Sequence, residues 1–213
     1  MNRMLMSLLL VAAGCSKALA PAPPSPAAPV AASHEHPHHV HEHPLLPAAE
    51  PSANSLYQLQ VALRDQDGQS IGLDHFRGHV VLTGMFYSSC TSICPMLVAR
   101  TKALQEQLDP EARKQVKVLL VSLDPARDDP AALKRLATTH AVDQPSWRFT
   151  VGSEDATREI AAALGVRYRG MASGEINHTP VLAVLDADGN VQSRTEDFGD
   201  SGPLLAAMVK LAK

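Results

Sequence analysis

Residues 80–87 and 116–123 are nearly unbroken apolar runs, the pattern of strands covered on both faces of a sheet. After the first, Leu97, Val98, Thr101, Leu104 and Leu108 recur at the spacing that lines one face of a helix; Leu133, Leu136 and Ala137 do the same after the second. Pro95 and Pro130 suit first helical turns, where a missing N–H costs nothing. Residues 147–151 predict a short strand, 154–164 a helix, 181–185 and 191–194 a hairpin turning at Asp188-Gly189, and 203–211 a last helix. Ahead of the first run, residues 56–63 and 70–73 flank Asp65-Gln66-Asp67-Gly68-Gln69 and read as a hairpin. Met96 is expected inside, and residues 168–174 as a loop. Strands alternating with helices predict an α/β domain, a central mixed sheet flanked by helices with an N-terminal hairpin extension.

The N-terminal quarter breaks this pattern. Arg3 precedes an apolar run at residues 5–13, about half of the ~20 residues a membrane-crossing helix needs, so residues 1–14 read as an export signal. Ala12-Ala13-Gly14-Cys15 resembles a bacterial lipobox, which implies cleavage before Cys15, a lipid on that cysteine and a chain tethered on the periplasmic side of a bacterial membrane. Residues 15–53 are rich in Ala, Pro and His with few bulky apolar side chains, the composition of a tether. Within them His34, His36, His38, His39, His41 and His43 form a tract suited to weak metal collection, or to a plain pH-sensitive spacer. Residues 54–213 remain for the folded domain, enough for one core.

With 19 basic against 22 acidic residues the formal net charge is −3, which argues against a nucleic-acid partner. No phosphate-binding Gly-rich loop, nucleophile elbow or metalloprotease helix is present.

The chemistry sits where the first apolar run ends. In Cys90-Thr91-Ser92-Ile93-Cys94-Pro95 the two cysteines lie at a helix start, spaced so that both sulfurs can share one side of a turn. A helix N-terminus favours thiolate, the form that binds a metal or attacks a disulfide. Soft thiolates favour Cu(I), and an added imidazole admits Cu(II) or Zn(II). Of the histidines outside the tether, His75, His79 and His140 read as solvated surface groups. His178, just before the strand at 181–185, occupies the loop that faces the cysteine loop in a thioredoxin-type sheet, and is the candidate third donor. Met171 could offer a thioether, though it reads as a loop residue.

Residues 55–213 resemble the Sco/SenC family of copper chaperones for cytochrome oxidase assembly, with a thioredoxin-like fold. The resemblance rests on Phe76-Arg77-Gly78-His79-Val80-Val81-Leu82, on Phe86-Tyr87-Ser88-Ser89-Cys90 through Cys94-Pro95-Met96, on Asp124-Pro125-Ala126-Arg127-Asp128-Asp129-Pro130, on Trp147-Arg148-Phe149 and on His178. It implies copper held by Cys90, Cys94 and His178, the binuclear copper centre of a cytochrome c oxidase subunit as recipient, a copper donor protein and a thioredoxin-like reductant. Asp124 and Asp128 are expected to organise their loop and cap the following helix. Thr179-Pro180 departs from many members and matches dedicated thioredoxin-like redox proteins, in which the proline is often cis. A second reading therefore stands beside the metallochaperone: a thiol-disulfide oxidoreductase in which Cys90 attacks and Cys94 resolves.

Overall fold

The computed structural model describes residues 54–142 and 144–213. The export signal, Cys15 and the histidine tract lie outside them. A single 3-10 turn, Leu56–Gln58, leads into β1 (Leu63–Asp65) and β2 (Ser70–Ile71), then a second 3-10 turn, Leu73–Phe76. There follow β3 (Val80–Phe86), α1 (Ile93–Glu106), α2 (Pro110–Gln115), β4 (Val116–Ser122), α3 (Pro130–Thr139), β5 (Trp147–Val151) and α4 (Glu154–Leu164). The chain ends with β6 (Tyr168–Gly170), β7 (Ile176–His178), β8 (Leu182–Leu185), β9 (Val191–Thr195) and α5 (Gly202–Leu211).

Seven strands form one sheet in the order β2-β1-β5-β4-β3-β8-β9. Strands β3, β4 and β5 are parallel, while β8 runs antiparallel to β3 and β1 antiparallel to β5. The period of two along β3 and β4 explains the layers. Val80, Leu82, Phe86, Val118 and Leu120 face one side, where they pack with Leu97 and Leu104 of α1, Leu133 of α3 and Met208 of α5. Val81, Met85, Leu119 and Val121 face the other, against Ile160 and Leu164 of α4 and against Leu56, Leu73 and Phe76. Both faces of the central strands are thus covered, which is why their sequences are continuously apolar rather than alternating. This is the helix-flanked mixed sheet expected of a thioredoxin-type domain, with the β1–β2 hairpin on its edge.

Four local readings need correction. The stretch at 56–63 is strand only from Leu63; before it Ser55 accepts from the Tyr57 N–H and donates to the Asp188 carbonyl at 2.5 Å, which turns the chain into a helical corner. Helix α2 was unforeseen, yet Asp109 caps it through the Glu111 and Ala112 N–H groups and Pro110 occupies its start. Residues 168–174 are not all loop, since β6 pairs with β7 as a separate two-stranded ribbon. Met96 is 57% exposed rather than core, because the buried stripe of α1 runs through Cys94, Leu97, Val98, Thr101 and Leu104, and Met96 falls on the opposite side of the wheel.

Candidate metal centre

Strand β3 ends at Phe86, and the following loop is held by contacts that fix where the cysteines lie. The Cys90 N–H donates to the Tyr87 carbonyl at 3.2 Å, closing a turn. Asp128 accepts from the Ser88 N–H at 3.0 Å and from the Ser88 hydroxyl, and also from the Ser122 hydroxyl at 2.5 Å. Buried in the segment between β4 and α3, it ties the cysteine loop to the neighbouring strand through Ser122. Asp124 pairs with Arg127, and the cap of α3 is supplied by Asp129, which accepts from the Ala132 N–H at 2.7 Å. The expectation that Asp124 and Asp128 cap that helix is corrected: their role is loop organisation, because Asp129 immediately precedes the helix and Asp128 is turned back to Ser88.

At the start of α1 the Ser92 side chain makes no capping bond. The Cys94 N–H, one of the donors that a helix start leaves without a helical acceptor, points instead to the sulfur of Cys90 at 3.3 Å. Both cysteines are reduced and buried. Burial alone would raise the Cys90 thiol, but hydrogen bonds from the Cys94 thiol, from the Cys94 and Ser92 N–H groups and from the Tyr87 hydroxyl outweigh it and hold Cys90 below its ordinary value. Cys94 is pushed far up, first by burial and then by its hydrogen bond to Cys90.

His178 is the last residue of β7 rather than part of an irregular loop, directly opposite Tyr168. Its Nδ1 lies 3.2 Å from the Thr179 carbonyl, an acceptor, so the proton belongs on Nδ1 and the Nε2 lone pair is free. Nε2 stands 3.9 Å from the Cys94 sulfur. Burial lowers the His178 pKa, and the Thr179 bond opposes that in part. Burial thus favours the neutral imidazole, the form that binds a metal. Among the described residues no three His, Cys, Asp or Glu side chains converge into a preformed metal cage. The three donors are instead neighbours: the Cys94 N–H reaches the Cys90 sulfur, and the Cys94 sulfur stands beside one imidazole on an adjoining ribbon.

Tyr87 was not singled out from the sequence. Its hydroxyl bonds to Cys90 and its oxygen also meets the Ile176 backbone on β7, while its ring stands edge-on to His178 with centroids 6.1 Å apart. It therefore links the cysteine loop to the histidine ribbon; its position three residues before Cys90 was the available signal. Arg127 makes a second link, donating to the Gly174 carbonyl at the ribbon's turn at 2.6 Å. The remaining histidines stay apart from this site. His75 is exposed and His140 half-buried at the end of α3, but His79 departs from the expected solvated group, with its Nδ1 enclosed and lacking a hydrogen-bond partner. Met171 is exposed in the ribbon's turn. Among the described residues no peptide bond is cis, so Thr179-Pro180 is trans here.

Among known proteins, a SCO1 protein homolog from Bacillus subtilis (strain 168) is 31% identical over 99 residues, 46% of this chain and 51% of the relative. The chain thus spans about half the length of that curated relative. The crystal structure of Arabidopsis thaliana ScoI with copper bound superposes with a TM-score of 0.61 at 18% identity, covering 70% of this chain and 94% of that one. The structure reported for a disulfide switch in BsSco, a member of the Sco family of cytochrome c oxidase assembly proteins, gives a TM-score of 0.63 at 21% identity over 77% of this chain and 97% of that one. At such identities these structures establish the shared fold. The family model SCO1/SenC matches residues 49–213, the whole of the described domain, and the chain belongs to the SCO1/SenC family.

Proposed function

We propose that this protein is a copper metallochaperone, which binds copper through Cys90, Cys94 and His178 and delivers it to the binuclear copper centre in a cytochrome c oxidase subunit. The observation that carries this reading is the His178 imidazole, its Nδ1 committed to the Thr179 carbonyl and its Nε2 3.9 Å from the Cys94 sulfur. A dithiol reductase has no use for a neutral imidazole at that position, whereas a copper ion held by two sulfurs gains a third donor. Three donors leave a coordination position open for exchange with an acceptor. The family match and the copper-bound Arabidopsis relative support the choice of copper over zinc. A copper donor protein and a thioredoxin-like reductant, which keeps both thiols reduced, complete the cycle.

Cys15 carries the lipid that holds the chain to the periplasmic side of a bacterial membrane in this reading. Among the described residues no helix is long and apolar enough to cross a membrane. The histidine tract of residues 34–43 collects copper weakly; its deletion would then slow loading, and unchanged loading would reduce it to a spacer.

Anaerobic titration of the reduced chain with Cu(I) and Cu(II), parent against His178→Ala, tests the site. The expected result is thiolate-to-Cu(II) charge-transfer absorption saturating at one copper per chain in the parent and lost in the variant. A variant with undiminished absorption and affinity would remove His178 from the ligand set.

One observation favours a second reading. The lowered Cys90 thiol beside the raised Cys94 thiol is the asymmetry of a thiol-disulfide oxidoreductase. Cys90 thiolate would attack a substrate disulfide, expelling one substrate thiolate; Cys94 would give up its proton and attack the Cys90 sulfur, expelling the second. The substrate leaves as a dithiol, the chain as a Cys90–Cys94 disulfide, and an external dithiol restores it. His178→Ala should leave this reaction running.

A further inference from the structure

The β6–β7 ribbon has two different faces. Tyr168, Ile176 and His178 share one, where Tyr168 and Ile176 pack on the core. By alternation Arg167, Arg169, Asn177 and Thr179 share the other, the pairing being extended by the Thr179 N–H to Arg167 carbonyl bond of 2.8 Å. A cleft of about 500 Å³ opens here, lined by Arg167, Arg169, Asn177 and Pro180 with His178 in its wall, and none of its lining residues is acidic.

Arg167 and Arg169 are exposed, and their guanidinium groups make no ion pair or hydrogen bond to the described residues. Arg64 and Arg135 share this freedom, but only Arg167 and Arg169 lie two residues apart on one face of one ribbon. Arg100, Arg113, Arg127, Arg148, Arg158 and Arg194 are each engaged by a carbonyl or carboxylate. A local pair of free cations also runs against the chain's net charge of −3. Two residues apart on one strand face, the guanidinium stems rise about 7 Å from each other. That spacing addresses two carboxylates on an extended segment rather than converging on a single small anion, and each planar fork suits a carboxylate.

We propose that this outer face, with Arg167 and Arg169 as its anchors, docks a carboxylate-rich segment of a partner protein beside His178. That the partner exchanges copper rests on the function proposed above. Docking there brings an acceptor to the ribbon that carries the imidazole, and exposed cations act mainly by accelerating encounter at low salt.

The test is an amide chemical-shift titration of the full chain with an end-capped peptide of alternating Glu and Ser containing four glutamates. Shifts should concentrate at residues 167–169 and 177–180. Binding should weaken about tenfold in Arg167→Gln/Arg169→Gln and at high salt, and hold in Arg64→Gln/Arg135→Gln, which alters two exposed arginines elsewhere. No binding by the parent, or equal binding by the Arg167/Arg169 variant, overturns the proposal. So does an equal response to inorganic phosphate at matched charge, which would make the cleft a simple anion site. A parallel copper titration separates the two ideas: a parent that takes the peptide at these arginines but no copper refutes the copper reading and supports the docking surface.

Discussion

Asp128 accepts the backbone N–H of Ser88 at 3.0 Å, two positions before Cys90, and its neighbour Arg127 donates to the Gly174 carbonyl at 2.6 Å in the turn of the histidine ribbon. One short segment after β4 thus holds both the loop that carries the cysteines and the ribbon that carries His178. The two contacts differ in burial, which decides their energetic weight.

Asp128 is 6% exposed, and replacing it by Ala leaves the Ser88 N–H and two serine hydroxyls without their acceptor. Unpaired buried donors cost about 2–4 kcal/mol in sum. Asp128→Ala should lower the unfolding free energy obtained from urea titration by that amount and weaken copper binding as the cysteine loop loosens. Arg127→Ala is not a surface control, because besides breaking the exposed Gly174 bond it strips the buried Asp124 carboxylate of its pair. A stability of Asp128→Ala equal to that of the parent would show that Asp128 does not anchor the loop.

The central strands, the cysteine turn and four of the five helices are legible because each carries a long period or a proline at its start. The ribbon is not. Its strands are three residues each, Tyr168–Gly170 and Ile176–His178, too short and too polar to show alternation, so His178 was assigned to a loop although its partnership with the cysteines was foreseen. Tyr87 is only weakly signalled, by its place three residues before Cys90. Its contacts to Ile176 and His178 on β7 arise from the crossing of two segments far apart in sequence, and no local pattern encodes those. The exposure of Met96, by contrast, could have been read from the helical wheel, which sets it opposite Cys94 and Val98.

Gly84 lies at the middle of β3, where β8 must approach closely to bring Thr179 and Pro180 to the site. A Cβ there would stand 2.7 Å from the Val181 carbonyl oxygen and 3.2 Å from a Leu182 methyl. The carbonyl is backbone and cannot rotate away. Gly84→Ala is therefore expected to destabilise the domain by about 1–3 kcal/mol through overpacking and to shift amide resonances of β8. A stability within about 0.5 kcal/mol of the parent would mean that β8 yields without cost.

His79 gives the fold a pH dependence of defined sign. Its pKa is lowered from 6.5 to about 4, first by burial and then by Lys117 and His75. As pH falls below 6.5 the unfolded chain takes up a proton that the folded chain refuses, so this stability is complete above 6.5 and is lost on the way down to about 4. The ring is half-buried, and solvent screening reduces the effect to the order of 1–2 kcal/mol. Urea midpoints for parent and His79→Gln should diverge at neutral pH and shift relative to each other in favour of the variant as the solution is acidified. Because the carboxylates are common to both chains, a constant difference across the range would clear His79 of this role.

The two cysteines should differ sharply in reactivity, because the same hydrogen bond acts on them in opposite directions. The Cys94 thiol donates to Cys90, which stabilises the Cys90 thiolate and makes loss of the Cys94 proton harder; burial adds to the second effect and only partly cancels the first. In the reduced chain Cys90 should be alkylated by iodoacetamide at least about tenfold faster than Cys94 at neutral pH, with a midpoint below the ~8.5 of a free thiol. Tyr87→Phe removes one donor to the thiolate and should move that midpoint upward while the fold stays intact. Since thiolate is the form that takes up copper or attacks a disulfide, the same variant should slow either reaction at neutral pH and lose the deficit as pH rises. An unchanged midpoint in Tyr87→Phe would show that the Cys94 and Ser92 donors alone hold Cys90 down, and that Tyr87 serves the ribbon rather than the thiol.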